Sequence, residues 1–242
     1  MNLKELTNKK NNYLVRRGNK AILQALRFAK LKGYSRLYLA NEGSWVTYGQ
    51  YGKKLKFNIR TLKTNKGIIN FGDVGENSVV LFNDMPSYAF LQNEFNTELF
   101  KKRKILTIGD ITGSIGTRIC KADILVCSFG KHKIVNLGLG GVIASDFDMN
   151  IEEDFEGSTE ELNKKIENVP SRLKFLREKR EKIIQDIGKE NIIKYDKKGI
   201  NLLTPKEDFI FKYCEDNNIL YKICPMNIKI LEDAISIEVQ TF

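Results

Sequence analysis

Between Lys104 and Asp146 the chain carries three short apolar runs, Ile105 to Ile108, Ile124 to Phe129 and Gly141 to Ala144, and no other stretch constrains the fold as strongly. Each run is rich in β-branched residues and bounded by glycine or charge, the pattern of strands buried on both faces of an α/β sheet. Chemically active side chains stand where the runs end. Asp110 follows the first, Ser128 closes the second, and Lys131, His132 and Lys133 come directly after it, ahead of the glycine-rich LGLGG that opens the third. Ligands of open α/β sheets gather at strand carboxyl ends, so these groups can converge on one crevice.

An Asp at a strand end, then Ser-Phe, then a Lys five positions after that Ser, then Gly-x-Gly-Gly: this order resembles the core of the DegT/StrS sugar aminotransferases, pyridoxal-phosphate (PLP) enzymes of fold type I. The matching residues are Asp110, Ser128, Lys133, Gly138, Gly140 and Gly141. The resemblance implies an α/β, PLP-dependent transferase-like fold, a mainly parallel central sheet flanked by helices with a small C-terminal α+β domain. It implies that Lys133 holds pyridoxal 5'-phosphate as a Schiff base, that Asp110 pairs with the protonated pyridine nitrogen, and that Ser128 contacts the phosphate. It also implies a homodimer. The likeness reaches back to Gly18 and fades after about Asp148.

Such chemistry needs such groups. An amine captures an aldehyde and can later move protons at a substrate carbon, and a carboxylate facing a pyridine nitrogen keeps it protonated. Each residue alone has a plainer reading. Lys131 and Lys133 could be solvated loop charges, and Asp110 a turn or N-cap residue; it is their joint spacing that favours the cofactor core. Lys131 competes with Lys133 for the covalent role by a register shift of two.

Upstream, Ala21, Ile22, Ala25, Leu26 and Ala29 recur at the helical period, which predicts a helix over Asn19 to Leu31 stopped by Gly33. Its start, Gly18-Asn19, offers free backbone N–H groups at a positive dipole end, a candidate phosphate cradle; an ordinary N-cap at Asn19 is the alternative. The related enzymes carry Ser or Thr after that Gly, so Asn19 keeps the backbone donors and loses a hydroxyl. Arg36 to Ala40 reads as a strand, and the following NEGSWVTYGQYG reads as a loop similar to the one that supplies a stacking ring in the family, which makes Trp45 the candidate for the face of the pyridine. Val79 to Phe82 is a further buried strand, and Glu94 to Lys102 a surface helix.

The net charge of +10 raises nucleic-acid binding as a possibility, because Lys and Arg neutralise phosphates. Yet the basic residues lie in scattered KK, KKLK, KKRK and REKREK segments with acids between them, the pattern of solvated faces rather than a nucleic-acid footprint. No apolar run approaches a membrane span, and the polar start MNLKELTNKKNN lacks a signal-peptide core, so a cytoplasmic location is expected. The four cysteines show neither CxxC spacing nor a disulfide framework, and no metal site is expected.

The expected organisation is a PLP-binding large domain over residues 1–148 and, over 149–242, a linker with a helix and a small α+β domain. Asn150 to Glu161 is acidic and reads as linker; Leu162 to Ile187 reads as one charged helix; and Ile192 to Tyr195, Ile200 to Leu203, Lys206 to Asn217, Leu220 to Ile223 and Ala234 to Val239 read as the elements of the small domain. Arg172, Arg177 and Arg180 offer guanidinium groups to an acidic substrate, with a solvated helix face as the plainer reading. Three functions follow: a transferase moving an amino group from a small-molecule donor to a keto acceptor, a keto-sugar among the candidates; a PLP-dependent lyase or desulfurase-like enzyme on the same site; or a catalytically degenerate binding or partner subunit.

Overall fold

The computed structural model describes residues 1–225 and 233–242. A short helix α1 (Leu3–Thr7), capped by the Asn2 side chain, leads into strand β1 (Asn11–Val15). Helix α2 (Gly18–Leu31) buries Ala21, Ile22, Ala25, Leu26, Phe28 and Ala29, the stripe its spacing predicts. Then come β2 (Arg36–Ala40), α3 (Val46–Lys54), β3 (Asn58–Leu62), a small ribbon of β4 (Thr64–Asn65) and β5 (Ile68–Ile69), and β6 (Ser78–Asn83). The three apolar runs of the central stretch form β7 (Ile105–Asp110), preceded by α4 (Thr97–Lys102), then β8 (Ile124–Ser128) and β9 (Gly141–Ser145).

These strands make a seven-stranded sheet in the order β1-β9-β8-β7-β6-β2-β3. From β3 to β8 neighbours run parallel, whereas β9 is antiparallel to both β8 and β1. The mainly parallel, helix-flanked sheet expected from the sequence is therefore the one found. Alternate residues sort onto its two faces. Val79, Leu81, Leu106, Ile108 and Val126 pack with α2 and α3, while Val80, Phe82, Leu125 and Cys127 join the opposite core. Register sets Asn83 beside Asp110 and Asp110 beside Val126, so the carboxyl ends of β6, β7 and β8 share one rim.

Helix α3 occupies a stretch read as loop. Its Gly49 and Gly52 weaken the helical signal, but Gly52 is where the helix meets the sheet: a Cβ there would lie 2.8 Å from Leu37 Cδ2 and 3.0 Å from Ile59 Cδ1. The acidic segment read as linker is pinned instead along the open edge of β1. The Leu14 and Arg16 N–H groups, which face away from β9, donate to the carboxylates of Glu153 and Asp154, and Lys20 closes on Asp154 at 2.6 Å. Acidic side chains thus satisfy an edge strand that would otherwise expose its donors.

The single helix expected over Leu162–Ile187 is two, α5 (Thr159–Glu167) and α6 (Val169–Ile187), because Pro170 suits a first helical turn and cannot continue the preceding one. Beyond them β10 (Leu202–Pro205), α7 (Asp208–Asp216), β11 (Tyr221–Ile223) and β12 (Ala234–Ile237) build an antiparallel sheet in the order β10-β12-β11. Ile192 to Tyr195 forms no strand. The arginines of α6 are also corrected. Arg180 is 1% exposed and lies over the Tyr195 ring at 4.9 Å; Arg172 donates to the Gln240 and Phe242 carbonyls; Arg177 donates to Thr117. These guanidinium groups tie α6 to its surroundings, their aliphatic stems packing as apolar surface.

Candidate active site

At the shared strand rim lies a cleft of about 120 Å³, lined by Gly18, Asn19, Ile22, Trp45, Asn83, Tyr88, Asp110, Thr112, Gly113, Val126, Cys127, Ser128 and Lys133. Each of the sequence-predicted site residues, Lys133, Asp110, Ser128, Trp45, Gly18 and Asn19, is among them. They arrive from five separate places: the start of α2, the start of α3, the ends of β7 and β8, and the loop after β8.

That loop is stapled at its base. Phe129 N–H donates to the Gly140 carbonyl, and Leu137 and Gly138 N–H groups donate to the Phe129 carbonyl. Ile134 and Val135 bury into the core, His132 takes a left-handed φ of 62°, and its N–H donates to the Asn136 side chain. The reversal at His132 leaves Lys131 exposed and turns Lys133 into the cleft, its Nζ 5.4 Å from the centre of the Tyr88 ring. Burial pushes the Lys133 ammonium below its ordinary range, with the Asp110 carboxylate opposing that shift.

Asp110 ends β7 and both its oxygens are engaged. Tyr48 O–H donates to Oδ2 at 2.7 Å, and the Thr112 N–H and hydroxyl donate to Oδ1 at 3.0 and 2.6 Å. The same Thr112 oxygen accepts the Ser128 N–H at 3.0 Å, so one hydroxyl joins the ends of β7 and β8. Burial, reinforced by Asp110, raises the Tyr48 phenol well above its usual range and keeps it a neutral donor. Burial and Asp110 likewise raise Tyr88 and the Cys127 thiol, which stays protonated and unreactive.

At the other end of the cleft α2 begins. Its N-cap is Arg17, whose carbonyl accepts the Lys20 and Ala21 N–H groups, so Asn19 sits inside the first turn rather than capping it. The Asn19 side chain faces the neighbouring helix instead: its Oδ1 accepts the Trp45 indole N–H at 3.1 Å and the Thr47 hydroxyl at 3.4 Å. Trp45 is thereby held at the cleft wall. Gly18 touches Ser128 so closely that a Cβ would lie 2.5 Å from Ser128 Cβ and 3.0 Å from its Cα. Gly18→Ala is therefore expected to drive α2 away from the end of β8, at a cost of about 1–3 kcal/mol; thermal unfolding that matches the parent would contradict this packing.

Tyr48, Thr112, Asn83 and Tyr88 escaped the sequence reading. Tyr48 lies one turn beyond Trp45 on a helix that was read as loop, and Thr112 follows Asp110 by two, a spacing at which an Asp side chain commonly accepts backbone N–H groups. Tyr88 is legible only in three dimensions, since Ser87 and Tyr88 adopt consecutive left-handed φ values of 54° and 60° that no sequence signal announces. Among the described residues no group of three His, Cys, Asp or Glu gathers as a metal site, and no helix is long and apolar enough to cross a membrane.

No protein-family model matches the sequence, and no curated protein matches it. Solved structures do resemble the fold. A DegT DnrJ EryC1 StrS aminotransferase from Brucella abortus aligns over 95% of this chain and 74% of its own, with a TM-score of 0.70 and 11% identity. A 3-amino-5-hydroxybenzoic acid synthase aligns over 98% and 83%, with a TM-score of 0.69 and 10% identity. An E. coli GDP-4-keto-6-deoxy-D-mannose-3-dehydratase with bound hydrated PLP aligns over 90% and 75%, with a TM-score of 0.67 and 11% identity. The chain thus has the fold of the DegT/StrS-type PLP enzymes, in agreement with the resemblance carried by its central motif.

Proposed function

We propose that the protein is a PLP-dependent enzyme of the aminotransferase type, moving an amino group from a small-molecule donor to a keto acceptor. One observation carries this reading: Lys133, Asp110, Ser128, Gly18 and Trp45, distant in sequence, line a single cleft at the carboxyl rim of the sheet. The donor set fits the cofactor. Lys133 offers a partly buried amine for its aldehyde, Asp110 a fixed carboxylate for its ring nitrogen, and the indole of Trp45 a flat face. For its phosphate there are the first-turn N–H groups of α2 and the hydroxyl of Ser128, which lies against Gly18.

The cofactor supplies an electron-withdrawing ring that stabilises negative charge developing at a substrate carbon. The chain does the rest. Asp110 would face the ring nitrogen and keep it protonated, and the neutral Lys133 Nζ would be the base that moves a proton at the substrate carbon. Ile22, Val126 and Trp45 add apolar wall to the cleft that Lys133 lines. The homodimer implied by the resemblance belongs to the same proposal, and the exposed Val46 beside Trp45 is an apolar side chain that such a contact can cover.

Glutamate and other amino acids, added to protein loaded with PLP, are expected to convert the visible chromophore to that of pyridoxamine phosphate, and a keto acid to reverse the change. Absorbance spectroscopy across a panel of amino acids and amino sugars tests this. Firm PLP binding with no conversion by any donor would instead favour a lyase or dehydratase, the activity named for one of the fold neighbours. Failure to take up PLP would leave a binding subunit.

A further inference from the structure

We infer that Tyr48 and Thr112 are positioning residues that clamp Asp110 for the cofactor, holding its carboxylate in one plane through opposite oxygens. This rests on the reading that Asp110 faces bound PLP. Tyr48 is fully buried at the start of α3, and its hydroxyl donates to Oδ2 at 2.7 Å. Thr112 approaches from the other side, giving Oδ1 both its N–H and its hydroxyl. A carboxylate bound through one oxygen pivots about the bond to its β-carbon. Gripped at both oxygens it cannot turn, and of its roughly four acceptor sites one, on Oδ2, is left for a further donor.

The clamp also couples cofactor subsites. Tyr48 lies three residues after Trp45 on one helical turn, so the helix that brings the indole to the cleft wall brings the phenol beneath the carboxylate. Thr112 accepts the N–H of Ser128 while donating to Asp110, which ties the carboxylate to the residue beside Gly18. A shift at any one of these points is transmitted to the orientation of Asp110. Tyr48 can serve as a permanent donor because its buried phenol has no anionic form to lose it to in the working pH range.

The test is Tyr48→Phe, which removes one oxygen and keeps the ring. Trp45 is the only tryptophan and lines the cleft, so quenching of its fluorescence reports PLP affinity without any turnover. The variant is expected to bind PLP about tenfold more weakly, the loss typical of one hydrogen bond to a charged group, and the visible band of the bound cofactor is expected to move. Thr112→Val, which keeps the side-chain shape and removes the hydroxyl, is expected to change affinity and band in the same direction and serves if the Phe variant does not fold. Parent-like affinity and an unmoved band in a folded variant would overturn the clamp while leaving the PLP reading intact. A parent protein that takes up no PLP would overturn both.

Discussion

Lys133→Ala is expected to abolish covalent retention of PLP and to reduce turnover by about a thousandfold or more, since it removes both the amine that captures the aldehyde and the base that moves the proton. Borohydride reduction of the loaded parent, followed by peptide mass analysis, should place a pyridoxyl label on Lys133 alone. A label on Lys131 would overturn the assignment, although Lys131 lies exposed outside the cleft whereas Lys133 lies within it. The pH dependence of capture supplies a second check with a definite sign. Burial lowers the Lys133 pKa, so its neutral, nucleophilic form is present at lower pH than that of an exposed lysine. The rate of PLP capture, followed by stopped-flow absorbance, should therefore rise with pH through a midpoint below the ordinary lysine range. A midpoint at the value of an exposed lysine would show that the amine is not held as the structure places it.

The strands around the cleft were legible because each is a short β-branched run with a boundary residue, and a buried parallel strand writes that pattern directly into sequence. Helix α2 was legible for the same reason at a different period. Helix α3 was not, because its interior Gly52 answers a tertiary demand, close approach to Leu37 and Ile59, which overrides the local signal. Spacing between Asp110, Ser128 and Lys133 brought three cleft residues to notice together. It could not reveal Tyr48, whose meaning arises only when the helix packs its phenol against β7. Arg180 shows the opposite error: charge on a helix was read as solvent exposure, but the side chain occupies a buried position between Leu176 and Ile183, with its guanidinium on an aromatic face. Segment 150–156 failed for a related reason, since acidic composition resembles a linker until an edge strand is found needing acceptors for its N–H groups.

Asp110→Asn is expected to lower turnover about 100- to 1000-fold, the range found when one fixed electrostatic group is removed from a reacting centre, with a smaller loss of thermal stability than Asp110→Ala. The choice of Asn over Ala decides what the experiment can say. Ala would strand the Tyr48 hydroxyl and the Thr112 N–H in a buried site, costing about 1–3 kcal/mol for each unsatisfied group, and its effect on activity would be mixed with an effect on folding. Asn fills the same space. Its carbonyl accepts the Thr112 N–H and hydroxyl, and its amide can donate to the Tyr48 oxygen; only the phenol O–H loses its acceptor, so most of the network is kept with its charge removed. What is lost is the anion that keeps the ring nitrogen protonated, so the defect should fall on the proton-transfer step and reach kcat as well as kcat/KM. Steady-state kinetics with whichever donor the spectral screen identifies, set beside thermal melting of the same preparations, separates the two roles. A melting temperature that falls in step with activity would make Asp110 a structural cap at the end of β7; stable protein with lost turnover would make it the residue through which the chain controls its cofactor.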